Sequence, residues 1–301
     1  MNTLDLRAVS TAMAALELLP AEPSDLTNIL RDTKFRGMLL GEVAATAQGD
    51  VDPASLGASP LVAYLLNHMK PTRVQEWLIE LQELHGRSAV RAVLAGSSGY
   101  PDKLAKCWDA PPILYTMGTA PGGPHVAIVG SRSAASNILS DARELASELA
   151  SLGVTVVSGL AAGIDSAAHQ GCLDAGGKTV AVMGTGIRTI YPETNVALSQ
   201  QIAQNGMLVS QFAPRAPRTS TTFLRRNCVI AGMCDVSIIM DGRARSGSKH
   251  EFEQAISYGR VALMWAPALE QEAWAQDFRS RGLARFVSSL EEIWTAVKDF
   301  Q

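Results

Sequence analysis

The sequence predicts an α/β fold in which a doubly wound, mostly parallel sheet follows a small N-terminal helical domain. Two observations support this prediction. After about residue 124, short apolar runs alternate with helical segments, a pattern typical of buried parallel strands covered by helices on both faces. Before about residue 96, the apolar residues recur at helical spacing instead.

The N-terminal part, residues 1–96, is predicted to be a helical accessory domain. Its clearest helix has an apolar face formed by Val74, Trp77, Leu78, Leu81 and Leu84. No motif that indicates chemistry occurs before Tyr100. We therefore place the function in the remainder of the chain.

The second predicted domain spans residues 97–301 and begins with a Pro-rich connector, residues 97–124. Predicted strands follow, separated by helices: VAIVG, VTVVSG, KTVAVMG, MLVSQF, VSIIMD and VALMWA. Ligands of parallel sheets bind outside the carboxyl ends of the strands. The candidate site loops are therefore GSRS, SGLAAGID, GTGIRTIYP, the stretch TFLRRNCVIAG and DGRARSGS.

The charge distribution is more informative than the net charge. Lys and Arg total 26 against 29 Asp and Glu, and the formal net charge of −3 indicates neither a nucleic-acid nor a membrane partner. The segment 213–249 is nevertheless basic. It has two acids, Asp235 and Asp241, against the cations Arg215, Arg218, Arg225, Arg226, Arg243, Arg245 and Lys249. Because a guanidinium is costly to bury without a partner, Arg225 and Arg226 are expected to face water or an anion.

The chain shows no sign of export or of metal binding. The start MNTLDLRAV has no signal pattern, and no apolar run approaches the ~18 residues of a membrane span. The four cysteines form neither a Cys-x-x-Cys pair nor a zinc-like spacing with His. We expect a cytoplasmic protein with buried, reduced thiols, no metal site and no membrane partner.

Glycine turns at strand ends predict phosphate binding, because free amides and the helix dipole both attract an anion there. The three turns are Gly130-Ser131-Arg132, Ser158-Gly159 with Gly163, and Gly184-Thr185-Gly186. Asp165 is predicted to cap the helix after the second turn, and His169 on that helix is predicted to be packed. Tyr191 is a candidate for stacking on a base.

The common cofactor motifs are missing. The sequence contains no G-x-x-x-x-G-K-[ST], no G-x-S-x-G and no G-x-G-x-x-G after a strand. GTGIRT lacks the third glycine of the dinucleotide motif, and VGSRSA lacks the second. The sequence therefore disfavours a P-loop NTPase and an NAD-dependent enzyme, and we expect no cofactor.

Several segments, in order and spacing, resemble the DNA-processing protein A family (DprA, also called Smf): VAIVGSR, VVSGLAAGIDSAAHQGCLDAGGKTVAVMGTGIRTIYPETN, RRNCVIAG and RSGS. The connector YPDKLAKCWDAPPILYTMG is similar too, so the resemblance covers residue 98 to the end. It implies a Rossmann-like core without the family's frequent C-terminal winged helix, since SSLEEIWTAVKDF indicates a single closing helix. It also implies a non-catalytic homodimer that binds single-stranded DNA and delivers it to a RecA-type recombinase in natural transformation or a diverged pathway.

Matched residue by residue, the resemblance assigns phosphate binding to the three glycine turns and to two further loops. The basic loop of the family corresponds to Arg225, Arg226 and Asn227, and its last loop to Ser246, Gly247 and Ser248. The planar guanidinium fork suits a phosphate better than a lysine does, which gives Arg225 and Arg226 an expected role.

Three departures from the family pattern occur. Cys228 replaces the second Arg of the usual Arg-Asn-Arg, Gln211 replaces a common acid, and Lys249-His250-Glu251 follows Ser-Gly-Ser. Ser248-Lys249-His250-Glu251 has the spacing of the Gly-Thr-x-x-Glu loop in phosphoribohydrolases of the same superfamily. The alternative prediction is thus a nucleotide-binding or N-glycosidic-bond-cleaving enzyme that uses Glu251 with Arg226. Glu251 also suits a plain helix-start acid, and the sequence leaves DNA, RNA and free nucleotide open as ligands.

Overall fold

The computed structural model describes residues 3–19, 23–41, 57, 59–87 and 89–299. Its chain forms two compact units, Met1–Pro101 with Trp108–Tyr115, and Asp102–Cys107 with Thr116–Gln301. The predicted helical domain of residues 1–96 includes positions 1–2, 20–22, 42–56, 58 and 88, which lie outside the described residues. The boundary after residue 96 stays a prediction.

The first unit is mainly helical. Leu26, Leu30 and Leu65 are fully buried in it, and Asp32 and Ser59 cap the helices that follow them. Of the apolar face predicted between Val74 and Leu84, the last two residues are buried and the others are half-buried. The elements are α1 (Thr3–Glu17), α2 (Pro23–Arg31), α3 (Thr33–Leu40), α4 (Pro60–His68), α5 (Pro71–Arg87) and β1 (Val90–Leu94).

The second unit contains a parallel sheet whose strands follow the order β6-β5-β4-β3-β7-β8-β9. β4 to β7 are entirely buried and β3 is buried except for His125, which explains their short apolar runs. The strands are β2 (Ile113–Gly118), β3 (His125–Val129), β4 (Thr155–Ser158), β5 (Thr179–Val182), β6 (Met207–Ser210), β7 (Val236–Ile239), β8 (Val261–Trp265) and β9 (Arg285–Val287). The first three residues of β2 belong to the first unit.

Helices connect these strands. A short 3-10 helix, Glu193–Asn195, precedes α9. The α-helices are α6 (Asp102–Ala105), α7 (Ser136–Ser151), α8 (Ile164–Asp174), α9 (Val196–Asn205), α10 (Ser220–Met233), α11 (Gly247–Ser257), α12 (Ala266–Leu269), α13 (Ala273–Ser280) and α14 (Leu290–Asp299). Along the described chain, no helix has the length and apolar character that a membrane span requires.

Helices cover both faces of the sheet. Val236 and Ile238 of β7 join a core cluster with α7, α8 and α14. Ser237 lies between them in sequence and donates to Glu251 of α11. Because successive side chains of a strand point to opposite faces, α11 packs on the face opposite α7. This arrangement confirms the predicted α/β class and the doubly wound parallel sheet.

The strand order places a crevice beside β3. The chain runs outward from β3 through β4 and β5 to β6, and then returns to the other side of β3 as β7. At such a switch point the loops that follow the two central strands separate and leave room for a ligand. The loops after β3 and β7 contain the Gly130 and Ser246 turns.

Candidate nucleic-acid interface

A cleft of about 900 Å³ opens at the carboxyl ends of β3 and β7. All of its lining residues belong to the second unit. They come from the loop after β3, the start of α8, the first turns of α10, the loop after β7 and the start of α11. The lining includes Gly130, Ser131, Arg132, Ala161, Asp165, Arg218, Phe223, Arg226, Asn227, Arg243, Ser246, Gly247, Ser248 and Glu251.

The first predicted phosphate turn, Gly130 to Arg132, faces this cleft. Gly130 must be glycine here, because a Cβ atom would lie 2.5 Å from Ile164 Cγ1. The amide of Ile164 donates to the carbonyl of Ser131 over 3.2 Å, which ties the turn to the start of α8. Arg132 is exposed, and its guanidinium carbon lies 5.1 Å from the ring centre of Phe223.

The second predicted turn already surrounds an acidic group, the carboxyl of Asp165. The amides of Ala161, over 3.2 Å, and of Gly159 both donate to this carboxyl group. Burial raises the pKa of Asp165, and Arg226 opposes the shift. Ser158 is fully buried and donates to the carbonyl of Ile128 over 2.6 Å. Donors that the sequence suggested for phosphate therefore serve the protein's own acid.

The third predicted turn is buried away from the cleft. Gly184, Thr185 and Gly186 do not line the cleft, and the amide of Gly186 donates to the carbonyl of Ala216 over 3.0 Å. A Cβ atom on Gly186 would lie 2.3 Å from the carbonyl of Ala213, so the glycine allows the chain after β6 to pack here. The amide of Gly186 is therefore taken up within the protein, and phosphate binding at Gly184, Thr185 and Gly186 stays a prediction.

The two adjacent arginines separate. Arg225 is exposed, whereas Arg226 is 6% exposed and lies beneath the cleft. The Nη1 group of Arg226 donates to the carbonyls of Gly159 and Val182. Asn227 is also buried, and its Nδ2 donates to the carbonyl of Gly247 over 2.9 Å. The basic loop of the sequence is thus the first part of α10, with its second arginine turned inward.

The last predicted loop begins α11 at the cleft. Ser246 caps the helix by accepting from the amide of Lys249 over 3.1 Å, and Gly247 and Ser248 follow it as cleft-lining residues. The first amides of a helix have no partner within the helix. The start of α11 therefore brings backbone donors to the cleft.

Glu251 lies one turn further along α11, at the floor of the cleft, and is 1% exposed. Ser237 donates to both of its carboxyl oxygens, over 3.0 and 3.3 Å. Burial raises the pKa of Glu251 to about 8, against the opposing effects of Ser237 and Arg226. The carboxyl group is therefore mostly protonated at neutral pH and does not cancel the charge of the arginines.

The sequence did not predict Phe223, Arg218 or Arg243 as site residues, although all three line the cleft. Phe223 precedes Arg226 by one helical turn and contacts the guanidinium groups of Arg132 and Arg226. Arg218 and Arg243 are exposed and line the cleft. The signal was present, since Phe223 stands beside the arginine pair and both arginines belong to the basic segment.

Tyr191 lies behind the cleft wall. The guanidinium carbon of Arg218 is 4.3 Å from its ring centre, and the ring of Phe223 meets it edge-on at 5.8 Å. Stacking on a base stays a prediction for Tyr191, and the structure gives it a contact that orients Arg218. His169 is fully buried, with Nδ1 bonded to Thr179 Oγ1 over 2.7 Å, which agrees with its predicted packing role.

A sequence model of the family described as DNA recombination-mediator protein A matches residues 91–298. The chain belongs to this family. It is 37% identical over 163 residues to the DNA processing protein DprA of Streptococcus pneumoniae, covering 54% of this chain and 57% of the relative. It is 35% identical over 167 residues to Protein Smf of Synechocystis, covering 54% and 42%. The chain thus spans about half the length of the curated relatives it matches.

Solved structures of the family have the same fold. The X-ray structure of DprA from Streptococcus pneumoniae aligns with a TM-score of 0.65 at 27% identity, over 81% of this chain and 89% of that one. DprA from Helicobacter pylori, described for its single-stranded DNA binding mode, aligns with a TM-score of 0.63 at 26% identity, over 71% and 99%. The Rossmann-like core implied by the sequence is confirmed.

Two of the departures from the family pattern are neighbours in space. The thiol of Cys228 lies 3.7 Å from Oε1 of Gln211. Both side chains of this contact are neutral, at positions where the resemblance implies an acid and an arginine.

Proposed function

We propose that the cleft binds the phosphates of single-stranded DNA. The observation that supports this most is that three exposed arginines, Arg132, Arg218 and Arg243, line one cleft. Charge-assisted hydrogen bonds from a guanidinium to a phosphate are strong and directional. Single-strand DNA binding by the Helicobacter pylori relative supports the same assignment.

The wall of the cleft adds a surface for bases. Phe223 is half-buried and lies 5.1 Å from the guanidinium of Arg132, so an aromatic ring stands beside a phosphate donor. Proteins that bind single strands combine a basic groove with aromatic rings on which bases stack. Such stacking tolerates any base, which suits a protein that binds strands of varied sequence.

The proposal is tested with labelled oligo-dT, oligo-U and a mononucleotide across a salt series. A strand that contacts several arginines displaces counterions, and each lost phosphate contact lowers the slope of log K against log [salt] by about 0.7. We expect a steep slope for oligo-dT, and Arg132→Ala to weaken binding and reduce the slope by about this amount.

Arg281→Ala is the matched control. Arg281 directly follows α13, is exposed, forms an ion pair with Asp277 and does not line the cleft. The variant removes the same charge and should leave affinity and slope unchanged. An Arg132→Ala protein that is folded and binds oligo-dT like the wild type would refute the proposed site. Tighter binding of oligo-U would change the ligand to RNA.

The wider role rests on family membership alone. We propose a cytoplasmic homodimer that protects single strands and passes them to a RecA-type recombinase during DNA uptake or processing. The test is co-sedimentation of the protein with a RecA-type recombinase on oligo-dT. If the same amount of recombinase sediments with oligo-dT whether or not this protein is present, the delivery role is refuted.

A second candidate function rests on Glu251. Its carboxyl group lines the floor of the cleft, and its pKa of about 8 suits a general acid near neutral pH. An N-glycosidase would use such a group against the leaving base of a nucleotide. Against this role, Ser237 contacts both carboxyl oxygens from the sheet, which accounts for Glu251 as an interior residue.

A further inference from the structure

Arg226 uses three of its five N–H donors on the protein itself. Nη1 donates to the carbonyl of Gly159 and, over 2.6 Å, to the carbonyl of Val182. Nε donates to Oδ1 of Asn227 over 3.3 Å. A guanidinium has five N–H donors in a fixed plane, and three of these bonds already fix its orientation. What remains exposed toward the cleft is 6% of the residue.

The two carbonyls belong to adjacent strand ends. Val182 is the last residue of β5, and Gly159 directly follows β4. One guanidinium nitrogen therefore joins two strands at the edge of the sheet where the cleft opens. The approach is close: a Cβ atom on Gly159 would lie 1.9 Å from Nη1. The loop after β4 is shaped around this arginine.

That loop supports the first phosphate turn. At its far end, Gly163 has φ of 79° and packs so closely that a Cβ atom would lie 2.4 Å from the carbonyl oxygen of Ser131. The next amide, of Ile164, donates to the same carbonyl over 3.2 Å. A shift of the loop after β4 would therefore move the backbone that presents Arg132.

Asn227 extends the same connection to the opposite wall of the cleft. While its Oδ1 accepts from Arg226, its Nδ2 donates to the carbonyl of Gly247, the first residue of α11. The pair Arg226-Asn227 thus links the strand ends of β4 and β5 to the start of the helix that carries Ser248. The Gly130 turn and the start of α11, on two walls of the cleft, are therefore both supported by the pair Arg226-Asn227.

Arg226 also has two buried acidic neighbours, Asp165 and Glu251. Burial lowers the pKa of Arg226, and the carboxyl groups of Asp165 and Glu251 raise it. Because Arg226 is buried and three of its N–H groups are bonded to the protein, it is less available to a phosphate than the exposed Arg132, Arg218 and Arg243 are.

From these contacts we propose that Arg226 is a positioning residue, which holds the two walls of the cleft at the spacing a strand requires without contacting phosphate. This inference rests on the strand-binding function proposed above. It assigns phosphate contact to the exposed arginines and the structural role to the buried one.

The test compares Arg226→Lys and Arg226→Met by oligo-dT binding across a salt series, with folding followed by near-UV circular dichroism. Lysine keeps the positive charge, but its single ammonium group does not bond the carbonyls of Gly159 and Val182 together with Asn227 as the planar guanidinium does. We expect both variants to lose affinity on the order of tenfold, because small displacements of a binding group are costly. Their salt slopes should equal that of the wild type.

The opposite pattern would overturn the inference. If Arg226 contacts phosphate, Arg226→Met lowers the slope by about 0.7 and Arg226→Lys restores both slope and affinity. Should the Arg226 variants fail to fold, Asn227→Ala keeps the arginine and removes the bond to Gly247. It is expected to weaken binding at unchanged slope, and wild-type affinity in Asn227→Ala would then refute the inference.

Arg260→Met is the matched control. Arg260 likewise donates to two backbone carbonyls, those of Lys103 and Gly232, each over 3.0 Å, but does not line the cleft. It should lower thermal stability and leave the affinity of the folded protein unchanged. Arg132→Ala separates the two proposals. If Arg132→Ala binds oligo-dT like the wild type, strand binding at this cleft is refuted. If Arg132→Ala loses affinity as expected while Arg226→Met binds like the wild type, only the positioning role is refuted.

Discussion

Glu251 places a carboxyl group against the sheet, where burial raises its pKa to about 8 from an ordinary value near 4.5. Between these two values the folded protein holds a proton that the unfolded chain has lost. The free energy of unfolding therefore falls as pH rises through this window, and the contribution is lost above pH 8. The buried carboxyl of Asp165, whose pKa is also raised, acts in the same direction.

We expect Glu251→Gln to flatten this dependence between about pH 6.5 and pH 9 by about 2 kcal/mol, measured by urea unfolding. The window avoids His169, whose pKa burial lowers to about 3, and whose contribution is lost as pH falls below its unfolded value. Glu253→Gln, an exposed acid on the same helix, is the control and should follow the wild type. Equal slopes for Glu251→Gln and wild type would contradict the buried protonated carboxyl.

The same variant decides between binding protein and enzyme. Because Ser237 occupies both oxygens of Glu251, we expect no free base when the wild type is incubated with nucleoside monophosphates or NAD. Base release is followed by chromatography, with Glu253→Gln as the control. Release by the wild type that disappears in Glu251→Gln while nucleotide binding persists would establish the N-glycosidase alternative.

Gly159 is required by the close approach of Arg226. We expect Gly159→Ala to lower the free energy of unfolding by about 2–3 kcal/mol, because the new methyl group displaces a buried, bonded guanidinium. Gly86→Ala in α5 is the control, since a Cβ atom there meets nothing within 4 Å. It should be neutral or stabilising in the same urea experiment. A Gly159→Ala protein as stable as Gly86→Ala would show that the loop relaxes without cost.

At the scale of elements, strands were predictable because each buried strand is a short apolar run that ends in a polar or glycine-rich turn. VAIVG contains all of β3 except His125, and VSIIMD contains all of β7. Their pairing as neighbours was not predictable, because about a hundred residues separate them and the local pattern contains no record of the sheet order. The crevice that holds the cleft follows from that order.

The phosphate turns show the same limit more sharply. A glycine after a strand looks identical in sequence whether its turn lines an open cleft, as at Gly130, or its amide meets an internal acid, as at Gly159, or another loop, as at Gly186. The outcome depends on how the chain folds back on each turn. Asp165 accepts from amides of its own loop, and the chain after β6 accepts from the amide of Gly186. Arg226 illustrates this as well, since the adjacent Arg225 has the same chemistry and opposite exposure.

At the scale of the molecule, the formal net charge of −3 coexists with a cleft lined by exposed arginines. Long-range attraction to a polyanion is therefore weak, and binding depends on contacts within the cleft. Assembly offers another source of affinity. If the protein is the homodimer proposed above, each particle presents the cleft twice, and one long strand can occupy both copies.

We therefore expect static light scattering to report a dimer at micromolar concentration, and long oligo-dT to bind on the order of a hundredfold more tightly than an oligo that fills one cleft. Avidity requires both copies, so mixing wild type with excess Arg132→Ala subunits should reduce the long-strand advantage while short-strand binding falls only in proportion to the wild-type sites. A monomer in solution would exclude this source of affinity. A length effect that persists in the mixed dimers would instead place the additional contacts within a single chain.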